Sequence, residues 1–227
     1  MLIIAKRKNI FKKTREQKLT SKEKKELAKF ILPLSITALS GVFFGFIDQI
    51  MLGRYVASQF IGFYQAAFNL TASASVIISF SSAAIFPIFA RIKGKVLERG
   101  FKKILNITIL VSVLAAIFTF TLSSLIIKII YGSMYLTSII YLQILSMLII
   151  SFPLISLYTA YYTSQKRTKI ISGLLIFSTV LNIVLNYFFI NIGIQFGMLY
   201  AVIGACIATV ISRFGYLISL ILFRKKS

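Results

Sequence analysis

Long apolar runs, each broken by a short polar stretch, set the rhythm of this chain. Six such segments stand out, at about 29–52, 59–90, 104–131, 136–163, 170–190 and 198–223. Each meets or exceeds the roughly 20 residues a helix needs to cross the hydrocarbon core of a bilayer. The runs are too long for strands and show no strict alternation, so helices are predicted throughout. Ahead of them, Leu27, Phe30, Ile31 and Leu34 recur at helical spacing, and Thr20 with Glu23 has the form of a capping box. A basic amphipathic helix is therefore expected near the end of residues 1–28, running into the first span. Pro33 is placed in the first turn of a helix, where proline is tolerated, and Pro153 at a mid-span kink.

Composition gives the runs a setting. Apolar residues make up 58% of the 227, with a mean hydropathy of +0.90, against roughly 45–50% apolar in soluble domains. The chain reads as an all-α integral membrane protein. Its net charge of +21 would point to nucleic acid in a soluble protein, but the basic residues follow the loops. Segments 1–29, 91–103, 164–169 and 224–227 hold 23 Lys and Arg together, whereas 53–58, 132–135 and 191–197 hold one, Arg54. The positive-inside rule places both termini in the cytoplasm, and no nucleic-acid partner is expected. The resulting plan is a basic cytoplasmic segment (1–28), a six-helix domain (29–223) and a basic tail (224–227). A multi-pass protein of the cytoplasmic membrane is predicted.

The chemistry available is narrow. There is no histidine and a single cysteine, Cys206, so a disulfide within the chain is excluded and a zinc site has almost nothing to use. Four of the five acidic residues (Glu16, Glu23, Glu26 and Glu98) lie in polar stretches. No phosphate-binding loop, paired-carboxylate site or nucleophile–base arrangement appears. No catalytic residue, metal or cofactor is expected, and the chain does not read as an enzyme.

The fifth acid is the exception. Asp48 sits in FGFIDQIMLGRY, about 27 Å along a helix that enters at Phe30, in the outer half of the bilayer. A charge at depth costs a few kcal/mol and usually faces a protein interior or a wet cavity. Two readings stand side by side: a coupling-ion, proton or substrate contact, or a carboxylate that pairs with Arg54 or caps a neighbouring helix. Span two is the most polar. Gln65, Asn69 and Ser73 recur at i, i+4, i+8, and Thr71, Ser75, Ser79 and Ser82 form a second stripe. Such faces are either glue between helices or the wall of a cavity; the two amides favour the cavity. The span leaves through Pro87 into a basic mouth with Arg91 and Lys93. Asn182 and Asn186 lie one turn apart in span five. Gly204, Ala208 and Ser212 make a small-residue packing stripe in span six.

The order of these segments resembles the C-terminal half of a polysaccharide flippase, in the superfamily that also holds multidrug-and-toxin-extrusion transporters and the lipid II flippase. The likeness runs over about residues 22–223. It is carried by KELAKFILPLSITALSGVFFGFIDQIMLGRYV, by IGFYQAAFNLTASASVIISFSSAAIFPIFARIKG, by YGSMYLTSIIYLQILSMLIISFPLISLYTAYYTSQKRTK, and by STVLNIVLNYFFI with YAVIGACIATVIS. The resemblance implies one six-helix half of a two-lobed flippase that moves a lipid-linked oligosaccharide, through its diphosphate headgroup, by alternating access. Family members have two six-helix halves, and this chain matches one. The candidate pathway residues are Asp48, Arg54, Gln65, Asn69, Ser73, Arg91, Asn182 and Asn186. Membrane lipid, the oligosaccharide-lipid and a second six-helix half, or a second copy, are the expected partners, because a lone unit would turn Asp48 and the Gln65 stripe toward lipid. Two alternatives remain: half of a cation-coupled small-molecule antiporter, and a non-transporting membrane subunit or truncated product.

Overall fold

The computed structural model describes residues 20–92 and 94–225. They form helices α1 (Ser21–Leu52), α2 (Ser58–Arg91), α3 (Gly94–Thr121), α4 (Ser123–Ile130), α5 (Ser138–Leu145), α6 (Leu148–Ser164), α7 (Thr168–Ile194) and α8 (Met198–Lys225), with a 3-10 turn at Ser133–Tyr135. No strand occurs among the described residues. Five segments there are long and apolar enough to cross a membrane: Ser58–Phe80, Gly94–Thr121, Ser138–Ser164, Thr168–Ile194 and Met198–Arg224. The span expected at 29–52 falls within α1. The segment 1–19, Lys93, and the side chains of Glu23, Phe30, Leu34 and Ser82 lie outside the described residues, and with them the capping box and half of the amphipathic face.

Several boundaries differ from the sequence expectation, among them a break of the third span at Leu122, between α3 and α4. Helix α3 starts at Gly94, ten residues early, so most of the expected basic loop is helical. Leu97 and Phe101, one turn apart, are buried there, and the Phe101 ring meets Tyr158 and Tyr161 of α6 edge-on. Lys95, Arg99, Lys102 and Lys103 occupy the exposed side, so an amphipathic turn replaces a loop. The fourth span breaks at Ser146–Met147. There the Ser146 hydroxyl donates to Gln143 O (2.7 Å) and Ile149 N–H closes a tight turn on Ser146 O (3.0 Å). Pro153 cannot donate to the Ile149 carbonyl and crowds it, and the rewinding falls on the N-terminal side of that carbonyl. Pro33 lies well inside α1 rather than at its first turn.

Packing follows from the small residues. Helix α7 lies along α8, α2 along α6, α1 against α7 and α3 against α6. A Cβ on Gly204 would stand 2.4 Å from the carbonyl oxygen of Phe189, so only glycine permits the α7–α8 approach. Ala208 and Ser212 continue that buried stripe. Two apolar cores result. One joins Leu52, Tyr64, Leu142, Leu148, Ile190 and Cys206. The other joins Phe89, Phe101, Leu157, Tyr162, Leu175 and Leu220, at the end that carries the basic segments. Between them, on every long helix from α6 to α8 and on α2, the buried residues turn polar: Thr71, Ser75, Ser151, Ser178, Asn182, Asn186, Thr209 and Ser212.

Candidate functional site

Asp48 sits in this polar layer, fully enclosed. Its Oδ2 accepts from the Tyr64 hydroxyl of α2 and the Thr209 hydroxyl of α8, both at 2.6 Å. Its Oδ1 accepts from Asn186 Nδ2 of α7, again at 2.6 Å. One carboxylate thus ties four helices. The chain path explains the meeting: α1 ends at Leu52, the turn reverses direction, and Tyr64 comes back alongside Asp48 in the second turn of α2. The network continues away from Asp48. Asn182 Nδ2 donates to Ser212 Oγ (3.2 Å), the Ser212 hydroxyl to Thr209 O (3.0 Å), and the Ser178 hydroxyl to Ser212 O (2.9 Å). Two buried acceptors, Oδ1 of Asn182 and Oδ1 of Asn186, have no hydrogen-bond partner. An unmet polar atom in a dry layer is costly.

Arg213 follows Ser212 on α8. Its guanidinium lies 5.2 Å from the centre of the Phe152 ring. The layer therefore holds a carboxylate, a guanidinium, two amides and several hydroxyls. Its ligand atoms are oxygens, which suit a hard cation and not a soft metal. Among the described residues no three of His, Cys, Asp and Glu come together.

The eight expected pathway residues separate into four places. Asp48, Asn182 and Asn186 share the buried layer. Asn69 and Ser73 are exposed on the outer face of α2 and Gln65 is half-buried there, with Gln65 Nε2 donating to Asn69 Oδ1 (2.9 Å). Arg54 and Arg91 are exposed at opposite ends of α2, about 50 Å apart at 1.5 Å per residue. Two expectations are corrected. Asp48 does not face outward, because Tyr64, Asn186 and Thr209 surround it. Nor does it pair with Arg54, which lies past the end of α1. The second hydroxyl stripe is also explained locally: Thr71, Ser75 and Ser79 each donate to the carbonyl four residues back, which satisfies them within the helix.

Tyr64, Thr209 and Arg213 were not singled out from the sequence as site residues, and Ser212 was read only as part of a packing stripe. Arg213 carried a readable signal, since a second intramembrane charge is the natural counterpart of the first. Tyr64 and Thr209 carried none, because a buried hydroxyl becomes a donor to Asp48 only once the helices are arranged.

A helical bundle with five membrane-length apolar helices and an enclosed polar layer is a multi-pass membrane protein. A family model described as polysaccharide biosynthesis protein matches residues 10–140, more than half of the chain, and the chain belongs to that family. It is therefore a membrane protein of polysaccharide biosynthesis. The matched region holds Asp48, Tyr64, Gln65 and Asn69 and stops before Asn186 and Thr209. No curated protein matches the chain.

Proposed function

We propose that this chain is a six-helix lobe of a transporter that moves a lipid-linked saccharide across the cytoplasmic membrane by alternating access, and that it is not an enzyme. The observation that carries this reading is the outward polar stripe of α2. Asn69 and Ser73 stand on the exterior of a membrane-length helix, with Gln65 half-buried beside them, where lipid would leave their hydrogen bonds unmet. A stripe of amides and a hydroxyl suits the wall of a water-filled cleft, and amides pair well with sugar hydroxyls. Membership of a polysaccharide-biosynthesis family supports a saccharide as cargo. The 23-to-1 distribution of basic residues supports six spans with both termini cytoplasmic. The far wall of the cleft is a second six-helix lobe, and the basic mouth near Arg91 draws the diphosphate of the cargo. The test replaces Gln65 and Asn69 together by Leu. In vesicles holding both lobes and a fluorescent saccharide–isoprenyl diphosphate, exposure to a membrane-impermeant quencher reports flipping. The double variant should fold normally and flip at least tenfold more slowly. Unchanged flipping would place the stripe against lipid and overturn the reading.

Asp48 supports a second element, a coupling cation of the kind an antiporter lobe also uses. Its carboxylate takes the Asn186 amide nitrogen, and the oxygen of that amide is unmet, as is that of Asn182 one turn away on α7. Turning the Asn186 amide end for end aims its oxygen at Asp48 and creates an all-oxygen pocket with Thr209. Transport by the lobe should then depend on sodium or on a proton gradient, and Asp48→Asn should remove that dependence. Equal transport with and without either gradient would exclude it.

A further inference from the structure

We propose that the basic end of the bundle holds a second site, for the phosphate headgroup of a membrane lipid. A cavity of about 800 Å³ opens there between α3, α6 and α8. Three cations line it, Lys102, Arg167 and Arg224, against one carboxylate, Glu98. That carboxylate is already engaged: it pairs with the Arg224 guanidinium and accepts from the Tyr161 hydroxyl at 2.9 Å. Arg224 in turn is held over the Phe101 ring, 4.0 Å from its centre. The Glu98–Arg224–Tyr161 assembly is a fixed wall, and Lys102 and Arg167 are exposed on the rim with charge to spare.

The placement of Arg167 is built in. Helix α6 ends with Lys166 at φ 60°, in the left-handed region that a side chain rarely adopts. Arg167 N–H returns to Tyr162 O (2.9 Å) and Lys166 N–H to Thr163 O (3.0 Å), the glycine-type helix stop made here with lysine. This turn fixes Arg167 at the cavity. Depth decides between a soluble anion and a lipid. Leu105 lies one turn further into α3 than Lys102, and Ile221 one turn further into α8 than Arg224, and both line the cavity. Apolar wall lies below and cations above, and tyrosines of α6 line the same cavity. That is the order of an acyl chain and a phosphate, with the aromatic residues common at a membrane interface. The site is separate from the polar layer around Asp48 and does not depend on the transport reading.

Native mass spectrometry of the detergent-purified protein tests it. Phosphatidylglycerol, phosphatidylcholine and inorganic phosphate are offered in separate arms to wild type and to the double variant Lys102→Gln/Arg167→Gln, which keeps the Glu98–Arg224 pair. Thermal unfolding without added lipid confirms that both proteins are equally folded. Wild type should retain phosphatidylglycerol in preference to phosphatidylcholine. The double variant should lose about thirtyfold in affinity, from two headgroup contacts at about 1 kcal/mol each. Equal retention by the variant overturns the site. Displacement of phosphatidylglycerol by millimolar inorganic phosphate overturns the lipid as its occupant.

Discussion

Removing the Asp48 side chain tests the centre of the bundle directly. In Asp48→Ala, the Tyr64 hydroxyl, the Thr209 hydroxyl and the Asn186 amide each lose an acceptor held at 2.6 Å. Interhelical hydrogen bonds in membranes average about 0.6 kcal/mol and reach about 1.7. Three short bonds to a charged acceptor belong at the upper end, so the loss should be about 3–5 kcal/mol. That is a large share of the roughly 5–15 kcal/mol that holds a domain together. Asp48→Asn differs in kind. Its one carbonyl oxygen can still take Tyr64 and Thr209, and its amide can donate to Asn186 once that side chain flips its unmet oxygen inward. The cost should stay near 1–2 kcal/mol, the loss of charge assistance less the relief of burying a neutral group. The protein carries its own reporter. Cys206, the sole cysteine, is buried one turn from Thr209. Its reaction with a thiol-specific dye follows opening of this region, and 3 kcal/mol corresponds to more than a hundredfold faster labelling. Tyr64→Phe and Thr209→Val should fall between wild type and Asp48→Ala. Labelling of Asp48→Ala at the wild-type rate would refute the view that Asp48 ties the four helices.

Three further outcomes are expected. Gly204→Ala forces a Cβ against the Phe189 carbonyl and should separate α7 from α8 at a cost of about 1–3 kcal/mol, seen as a lower unfolding temperature and faster Cys206 labelling; an unchanged protein would mean the helices do not approach as described. Lys166→Gly relieves a left-handed lysine and should stabilise the protein by up to about 1 kcal/mol, measured by thermal unfolding; destabilisation would show that the lysine side chain holds the turn. In a Cys206→Ser background, a cysteine at Ser133 should react with an impermeant thiol reagent in intact cells and one at Gln165 should not; the reverse pattern would invert the topology.

Periodicity was enough to read the helical class and five of the apolar spans, because each span must satisfy its backbone hydrogen bonds within itself whatever its neighbours do. Asp48 was legible for the same reason: a carboxylate in an apolar run is anomalous before any partner is known. The local stops were less legible. The helical start of α3 hides in a basic stretch, since Leu97 and Phe101 count as core only once Tyr158 and Tyr161 lie opposite them.

What the sequence determined alone was therefore the apolar helices and the presence of polar residues within them, quantities fixed by the solvent each residue meets. Tertiary structure alone decided which way those residues face. Gln65 and Tyr64 are adjacent in the chain, yet the 100° step of the helix sends Tyr64 inward to Asp48 and leaves Gln65 toward the outside with Asn69. The four-helix tie at Asp48 joins positions up to 161 residues apart, and the basic cavity joins Glu98 to Arg224. No local pattern encodes such meetings, because they exist only after the Gly204 contact has set the spacing of α7 and α8.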